Sequence, residues 1–187
     1  MKLSITPNDN RIFLDGNVSV RVSQRAKFAR IIIRNDCEIL LLKPIFINLD
    51  DAINFIYTKI HWIEKHRKKI SKQKFLRLNL SSAELERFWN KTERRVFHLS
   101  QVNDLCYHKL IFKTLKSRWG SCSSDNIICI NNLVYYLPLH LKDYIILHEL
   151  VHTKIKNHKK LFWEELEKIC QNCKSKRREL WDNYKIE

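Results

Sequence analysis

The 187-residue sequence lacks the features that mark secreted, membrane-spanning and repetitive proteins. It has only two glycines, three prolines and no internal repeat, which excludes collagen-like and solenoid architectures. Its apolar runs, such as residues 39–42 and 144–147, end well short of the roughly 20 residues that a membrane span needs. Residues 1–16 contain no apolar core like that of a signal peptide, so secretion by that route is not expected.

Cysteine is also scarce, with six residues spread along the chain. This number is too small for a disulfide scaffold, and without a signal peptide the thiols are expected to stay reduced. Cys170 and Cys173 form a CxxC pair, but there is no second pair, and Cys173 continues an apolar helical stripe. Buried thiols are therefore favoured over a redox or metal pair. Together these absences predict a cytoplasmic protein with no membrane partner.

Acidic residues are few: the sequence has 20 of them and 35 lysines and arginines, so its net charge is +15. Such an excess attracts polyanions at long range, so nucleic acid on the basic surface or a phosphorylated substrate has to be considered. The length and the 44% of apolar residues indicate a packed globule of one domain, or one domain with a smaller partner.

Residues 1–80 are predicted to form a β-rich N-terminal module with one helix. Turn formers at residues 15–17 and 35–36 separate short segments rich in Ile and Val, which predict a small antiparallel sheet. These segments are residues 11–14, 18–22, 29–34 and 38–42. Asp50 or Asp51 is then expected to cap a helix of about five turns. Residues 71–80 are polar and weakly patterned, as in a linker.

Residues 81–187 are predicted to form a second, mostly helical domain. Residues 81–84 have the form of a capping box at the start of a long helix. Residues 107–115 and 127–130 have the pattern of strands and are predicted to form a β-hairpin. Helical patterns follow over residues 144–155 and 161–173 and again near the C-terminus. The fold class predicted for the chain is therefore α+β.

The sequence HELVH at residues 148–152 is an HExxH motif. Residues four apart on a helix lie on one face, so His148 and His152 could bind one metal ion, and tetrahedral Zn²⁺ suits this geometry. Glu149 is then the natural general base, placed to take a proton from a water molecule beside the metal. In the alternative interpretation, the two histidines are ordinary polar residues satisfied by their neighbours.

A catalytic zinc usually takes three protein ligands and leaves one position open. His158 has the right sequence separation, provided that the helix ends first, and Asn157 is expected to end it in a left-handed conformation. Metzincins share this spacing but have glycine where this chain has Ile155, so their turn is excluded. Glu164 or Glu165 on the following helix is the alternative third ligand.

Three sequence strings are similar to those of one known family: SRWGSCS at residues 117–123, HELVH, and NHKKLFW at residues 157–163. Over residues 81–184 the chain resembles the YgjP-like metallopeptidases, predicted metal-dependent hydrolases related to SprT-like zincins. The resemblance implies a zincin-like C-terminal half, in which the three histidines are the metal ligands and Glu149 is the catalytic acid/base. Where the family usually carries an extra β-hairpin and linker, this chain has only residues 71–80.

Arg118, Trp119 and Gly120 belong to the family signature that this resemblance brings out. We expect them to contact the substrate, and the Arg118 guanidinium could pair with a carboxylate or a phosphate. In the alternative interpretation, Trp119 packs beneath the metal-binding helix and Gly120 permits a tight turn.

Three functions are compatible with these patterns. The first is a zinc-dependent hydrolase, by family resemblance a metallopeptidase, with residues 127–130 as an edge strand that pairs with an extended peptide. The second keeps the metal but cleaves a nucleotide anhydride, as the net charge and Arg118 would permit. The third is a nucleic-acid-binding module with a structural metal, although no fourth Cys or His has suitable spacing for a closed site.

Overall fold

The computed structural model of the chain describes residues 3–5, 11–14 and 18–187. The chain divides into two compact units, Met1–Gln73 and Lys74–Glu187. Helices and small sheets make up both, so the predicted α+β class is confirmed. The predicted turn at residues 15–17 lies outside the described residues. Among the described helices, none has the length and apolar character needed to cross a bilayer.

The first unit contains a five-stranded sheet. Its strands are β1 (Leu3–Ile5), β2 (Arg11–Leu14), β3 (Val18–Ser23), β4 (Arg30–Ile33) and β5 (Ile39–Pro44), in the order β1-β2-β3-β5-β4. Strand β5 runs parallel to β3 and antiparallel to β4, so the sheet is mixed and not purely antiparallel as predicted. The chain reaches the edge strand β4 before it returns as β5. Residues 39–41, all buried, suit this inner position.

Two helices complete the first unit, α1 (Leu49–Thr58) and α2 (Ile60–Ser71). The prediction of one long helix is wrong, because the helical path breaks at Lys59, where neither glycine nor proline marks the break. The cap also differs from the prediction: the Asn48 side chain accepts a hydrogen bond from the Asp51 backbone N–H at 2.7 Å. The isoleucine spacing still identifies the packed face, because Ile56 and Ile63 are both buried in this unit's core.

The second unit contains four α-helices and five short strands. Its helices are α3 (Ser82–Val102), α4 (Leu139–Val151), α5 (Lys160–Ile169) and α6 (Cys173–Asn183), and a 3-10 helix spans Asn132–Tyr136. Its strands are β6 (Lys74–Leu76), β7 (Lys109–Lys113), β8 (Gly120–Cys122), β9 (Ile127–Asn131) and β10 (Tyr184–Ile186). Ser81 and Glu84 form the predicted capping box at the start of α3. Strand β6, inside the stretch predicted as a linker, pairs in parallel with β10.

Three of these strands form a sheet in the order β7-β9-β8. The strands expected to form a hairpin, β7 and β9, pair in parallel, so that pairing was predicted wrongly. The hairpin of this unit joins β8 to β9 instead. The sequence does not reveal β8, because Gly-Ser-Cys has little strand propensity. Within the described residues, β7 and β8 are therefore the edge strands, and β9 is the central one.

Helix α4 is the core of the second unit. It packs against α3, α5 and α6 and against strands β8 and β9, and most of its residues are buried. A helix that is apolar on nearly all sides is typical of such a central position. The HELVH motif lies at its C-terminal end, so the motif's side chains are carried by a closely packed element.

Candidate metal centre

The three histidines singled out in the sequence lie together at the end of α4. The Nε2 atom of His158 lies 3.0 Å from that of His148 and 3.0 Å from that of His152. In the described part of the chain, these three side chains form the one group of Cys, His, Asp or Glu donors close enough together to hold a metal ion. Glu164 and Glu165 are not in this group; they form ion pairs with lysines on their own helix, α5.

The chain returns toward α4 by a different turn from the one predicted. Helix α4 ends at Val151, and His152 follows it as the C-cap residue, five residues before Asn157. Asn157 does not adopt the left-handed conformation; among the described non-glycine residues, only Cys37, Asp104, Asn126 and Asn172 have positive φ. Its side chain instead accepts a hydrogen bond from the Lys159 N–H at 3.1 Å, just before α5 begins.

The turn after α4 orients the His152 ring. Its Nδ1 lies 2.9 Å from the carbonyl oxygen of Ile155. A carbonyl oxygen only accepts hydrogen bonds, so Nδ1 carries the proton and the Nε2 lone pair faces the other two histidines. Ile155, which stands where metzincins have glycine, therefore serves the site through its backbone.

Two aromatic residues of α5 contact the histidine cluster and hold it in place. Phe162 is fully buried, and its ring centroid lies 4.5–4.8 Å from the centroids of all three imidazoles. The Trp163 indole N–H donates a hydrogen bond to the His158 carbonyl oxygen at 3.0 Å. These contacts hold His158 in place although its own side chain is exposed.

The electrostatics of the cluster favour neutral imidazoles. Burial lowers the pKa of His148 to about 3, with smaller contributions from His152, His158 and the Arg177 cation. Burial also lowers the pKa of His152 and His158. Nitrogen lone pairs that converge at 3.0 Å repel each other unless a metal ion or a shared proton lies between them. Three imidazoles are a donor set that suits zinc and related transition metals, so these residues fit a metal ion.

Glu149 lies next to the cluster in a narrow space. Its side chain is only 6% exposed, and burial raises the pKa of its carboxyl group to about 8, against the opposing effect of the Arg118 cation. The carboxyl group lies directly over Gly120 on β8. A Cβ atom at position 120 would lie 2.7 Å from Oε1 and 2.8 Å from Cγ of Glu149, so only glycine leaves room for this side chain.

A cavity of about 350 Å³ opens onto His148, Glu149 and His158. The three signature residues also line it: the Arg118 side chain is exposed, Trp119 is 7% exposed, and Gly120 forms part of the wall. Trp119 belongs to the hydrophobic core, as the packing interpretation predicts. The structure thus brings every predicted site residue except His152 to the cavity wall, and His152 contacts that wall through His158, whose Nε2 lies 3.0 Å from its own.

The sequence assigned no site role to several other residues of the cavity wall, among them Tyr144, Trp163, Arg177 and Trp181. The last two are four residues apart on α6, so they share one helix face, which is the signal that could have found them. Arg177 lies in a basic run, residues 174–178, and a run of this kind usually forms a solvated part of a helix. Cys170 and Cys173, in contrast, are buried thiols as predicted.

Comparison with known proteins identifies similarity in this same region. The family profile described as YgjP-like, metallopeptidase domain, matches residues 77–183, more than half of the chain. Among solved structures, the metallopeptidase zymogen abylysin of Pyrococcus abyssi is 24% identical, with a TM-score of 0.43, over 50% of this chain and 98% of that one. The metallopeptidase zymogen jannalysin of Methanocaldococcus jannaschii is 26% identical, with a TM-score of 0.42, over 48% and 93%. The comparison with curated proteins gives no match.

Proposed function

Because the chain belongs to the YgjP-like metallopeptidase family, we propose that it is a zinc-dependent peptidase that uses the histidine cluster and Glu149. In this proposal, residues 81–187 form the zincin-like catalytic domain and residues 1–80 an N-terminal module. The observation that carries the proposal is the convergence of three Nε2 atoms beside a buried carboxyl group, on the wall of one cavity. The family match gives no support to the nucleotide and nucleic-acid alternatives.

His148, His152 and His158 would hold the metal through their Nε2 atoms. Zinc bound there would polarise the scissile carbonyl and lower the pKa of a neighbouring water molecule. Burial lowers the pKa of all three histidines, which favours the neutral form that a metal ligand needs, and the Ile155 carbonyl keeps the lone pair of His152 directed at the cluster.

Glu149 would move the proton. Its raised pKa suits a group that accepts a proton from water and then donates it to the leaving amine near neutral pH. Arg118, on the same cavity wall, stabilises the ionised form of Glu149, and Gly120 provides the space that the carboxyl group occupies.

An extended peptide would bind along β8. The sequence pointed to residues 127–130 as the edge strand, but β9 lies between β7 and β8 and has no free edge. Strand β8 has a free edge in the described part of the chain, and its Gly120 lies against Glu149. Addition of a peptide strand at this edge would bring its backbone past the carboxyl group.

Metal content and peptide cleavage, measured on one preparation, test this function. We expect about one zinc ion per chain, cleavage of unstructured peptides, complete loss of cleavage after chelation, and recovery on addition of zinc. Zinc analysis by mass spectrometry and peptide analysis by chromatography supply the two readouts. Zinc-loaded protein that cleaves no peptide, or cleavage that persists in metal-free protein, would contradict the proposal.

Replacement of Gly120 by alanine tests whether Glu149 needs the space that this glycine leaves above β8. The new Cβ would push the Glu149 carboxyl group away, because the atoms it meets are only 2.7–3.0 Å away. A displacement of about 1 Å at a reacting group can cost roughly 100-fold in rate, so we expect Gly120→Ala to reduce kcat by about that factor with zinc content unchanged. Ser121→Ala, on the same strand, is the matched control. Equal kcat values for Gly120→Ala and wild type would exclude this role of Gly120.

A further inference from the structure

Arg177 reaches the catalytic cavity from α6, although it lies 19 residues beyond the last histidine of the cluster. Its guanidinium carbon lies 5.2 Å from the centroid of the Trp163 ring, which holds the cation against an aromatic face. Trp163 in turn donates its hydrogen bond to the His158 carbonyl oxygen. Arg177 is therefore placed beside the histidine cluster by a residue that also positions that cluster.

Arg177 brings positive charge to a cavity wall that carries little negative charge. The neighbouring arginine on α6, Arg178, forms an ion pair with Asp182. Of the residues that line the cavity, two are arginines and only one, Glu149, is acidic. Glu149 is buried in the wall and already faces the Arg118 cation, so Arg177 is the arginine placed to bind an anionic group that enters from solvent.

The cavity chemistry matches a carboxylate better than a neutral or cationic side chain. Arginine binds carboxylates with two parallel hydrogen bonds, and a charge-assisted bond of this kind is about twice as strong as a neutral one. A lysine side chain entering the same cavity would meet two guanidinium groups and, in the loaded enzyme, the metal ion. Selection by charge therefore operates both by attraction and by repulsion.

Resting on the proposed peptidase function, we propose that Arg177 selects substrates that carry a carboxylate next to the scissile bond. The carboxylate comes either from an Asp or Glu side chain or from the free C-terminus of the substrate. Arg177 is thus a specificity-determining residue.

Matched peptides test the preference. Each peptide carries Glu, its neutral isostere Gln, or Lys beside the scissile bond, with an amidated C-terminus, and a further Gln peptide has a free C-terminal carboxylate. We expect kcat/KM for the Glu or the free-carboxylate peptide to exceed that for the amidated Gln peptide by about tenfold or more. Whichever of these two peptides has the higher kcat/KM identifies the source of the carboxylate.

Variants at position 177 assign the preference to this side chain. We expect Arg177→Gln to lose the preference, so that its kcat/KM values for the carboxylate-bearing and the amidated Gln peptides become equal, and Arg177→Lys to keep part of it. Arg77→Gln, which makes the same change of charge on the same unit at a residue paired with Glu187, is the control and should leave the preference intact. Equal rates for acidic and neutral peptides in the wild type, or a preference that survives Arg177→Gln, would overturn the proposal.

A binding measurement separates this proposal from the peptidase function. Fluorescence anisotropy of the same labelled peptides on zinc-loaded Glu149→Gln protein should show the same preference for a carboxylate without turnover. Selective binding by a protein whose wild type cleaves nothing would contradict the peptidase function but support the role of Arg177. Unselective binding would overturn the role of Arg177, whatever the activity.

Discussion

Replacement of Glu149 by glutamine is expected to reduce kcat for peptide cleavage by about 10²- to 10⁴-fold, the usual contribution of a general acid/base. The glutamine side chain has the same shape and fits the space over Gly120, but it cannot take up the proton. The carboxyl group is not one of the converging metal donors, so zinc content should be unchanged. Steady-state kinetics and metal analysis of the same sample measure the two quantities.

Glu164→Gln is the matched control for this variant, because Glu164 is an exposed residue of α5 that pairs with Lys160. It should retain wild-type kinetics. If Glu149→Gln retains activity within a factor of about ten of the wild type, Glu149 is not the proton carrier.

Replacement of His158 by alanine is expected to have the second largest effect, a loss of zinc affinity. Loss of one of three donor atoms should weaken zinc binding by at least about 100-fold, since even residues that only support metal ligands account for 10- to 100-fold. Competition with a chromophoric chelator measures the affinity, and peptide cleavage should fall with zinc occupancy. Because His158 is exposed, we expect the variant to stay folded, and circular dichroism checks this point.

His140→Ala provides the matched control for His158→Ala. His140 lies on α4, eight residues before His148, and its ring pairs with Glu179 outside the cluster. This variant should bind zinc with wild-type affinity. Wild-type zinc affinity in His158→Ala itself would remove His158 from the metal site.

The sequence was most informative where function depends on local geometry. Residues four apart on a helix share a face whatever surrounds them, so His148 and His152 could be paired from their spacing alone. The length of the return segment also placed His158 near them, and the structure brings all three together. The β-rich and helical parts of the chain were separable because their apolar periodicities differ.

The remaining features depend on contacts between distant residues. The end of α4 has no glycine or proline to mark it, and the turn is secured by the His152 ring, the Ile155 carbonyl and the buried Phe162. Strand β8 is too short to have a pattern of its own, and its pairing with β9 displaces the hairpin that the sequence suggested. Arg177 joins the cavity only because α6 packs against α4.

The central claim is that His148, His152 and His158 hold one metal ion and leave a coordination position open. A crystal structure of the zinc-loaded protein, with anomalous diffraction recorded at the zinc edge, tests this claim most directly. The account predicts a single anomalous peak about 2.0–2.1 Å from the Nε2 atoms of the three histidines, with no fourth protein ligand. A peak elsewhere in the chain, or a zinc ion closed by a fourth side chain, would contradict it.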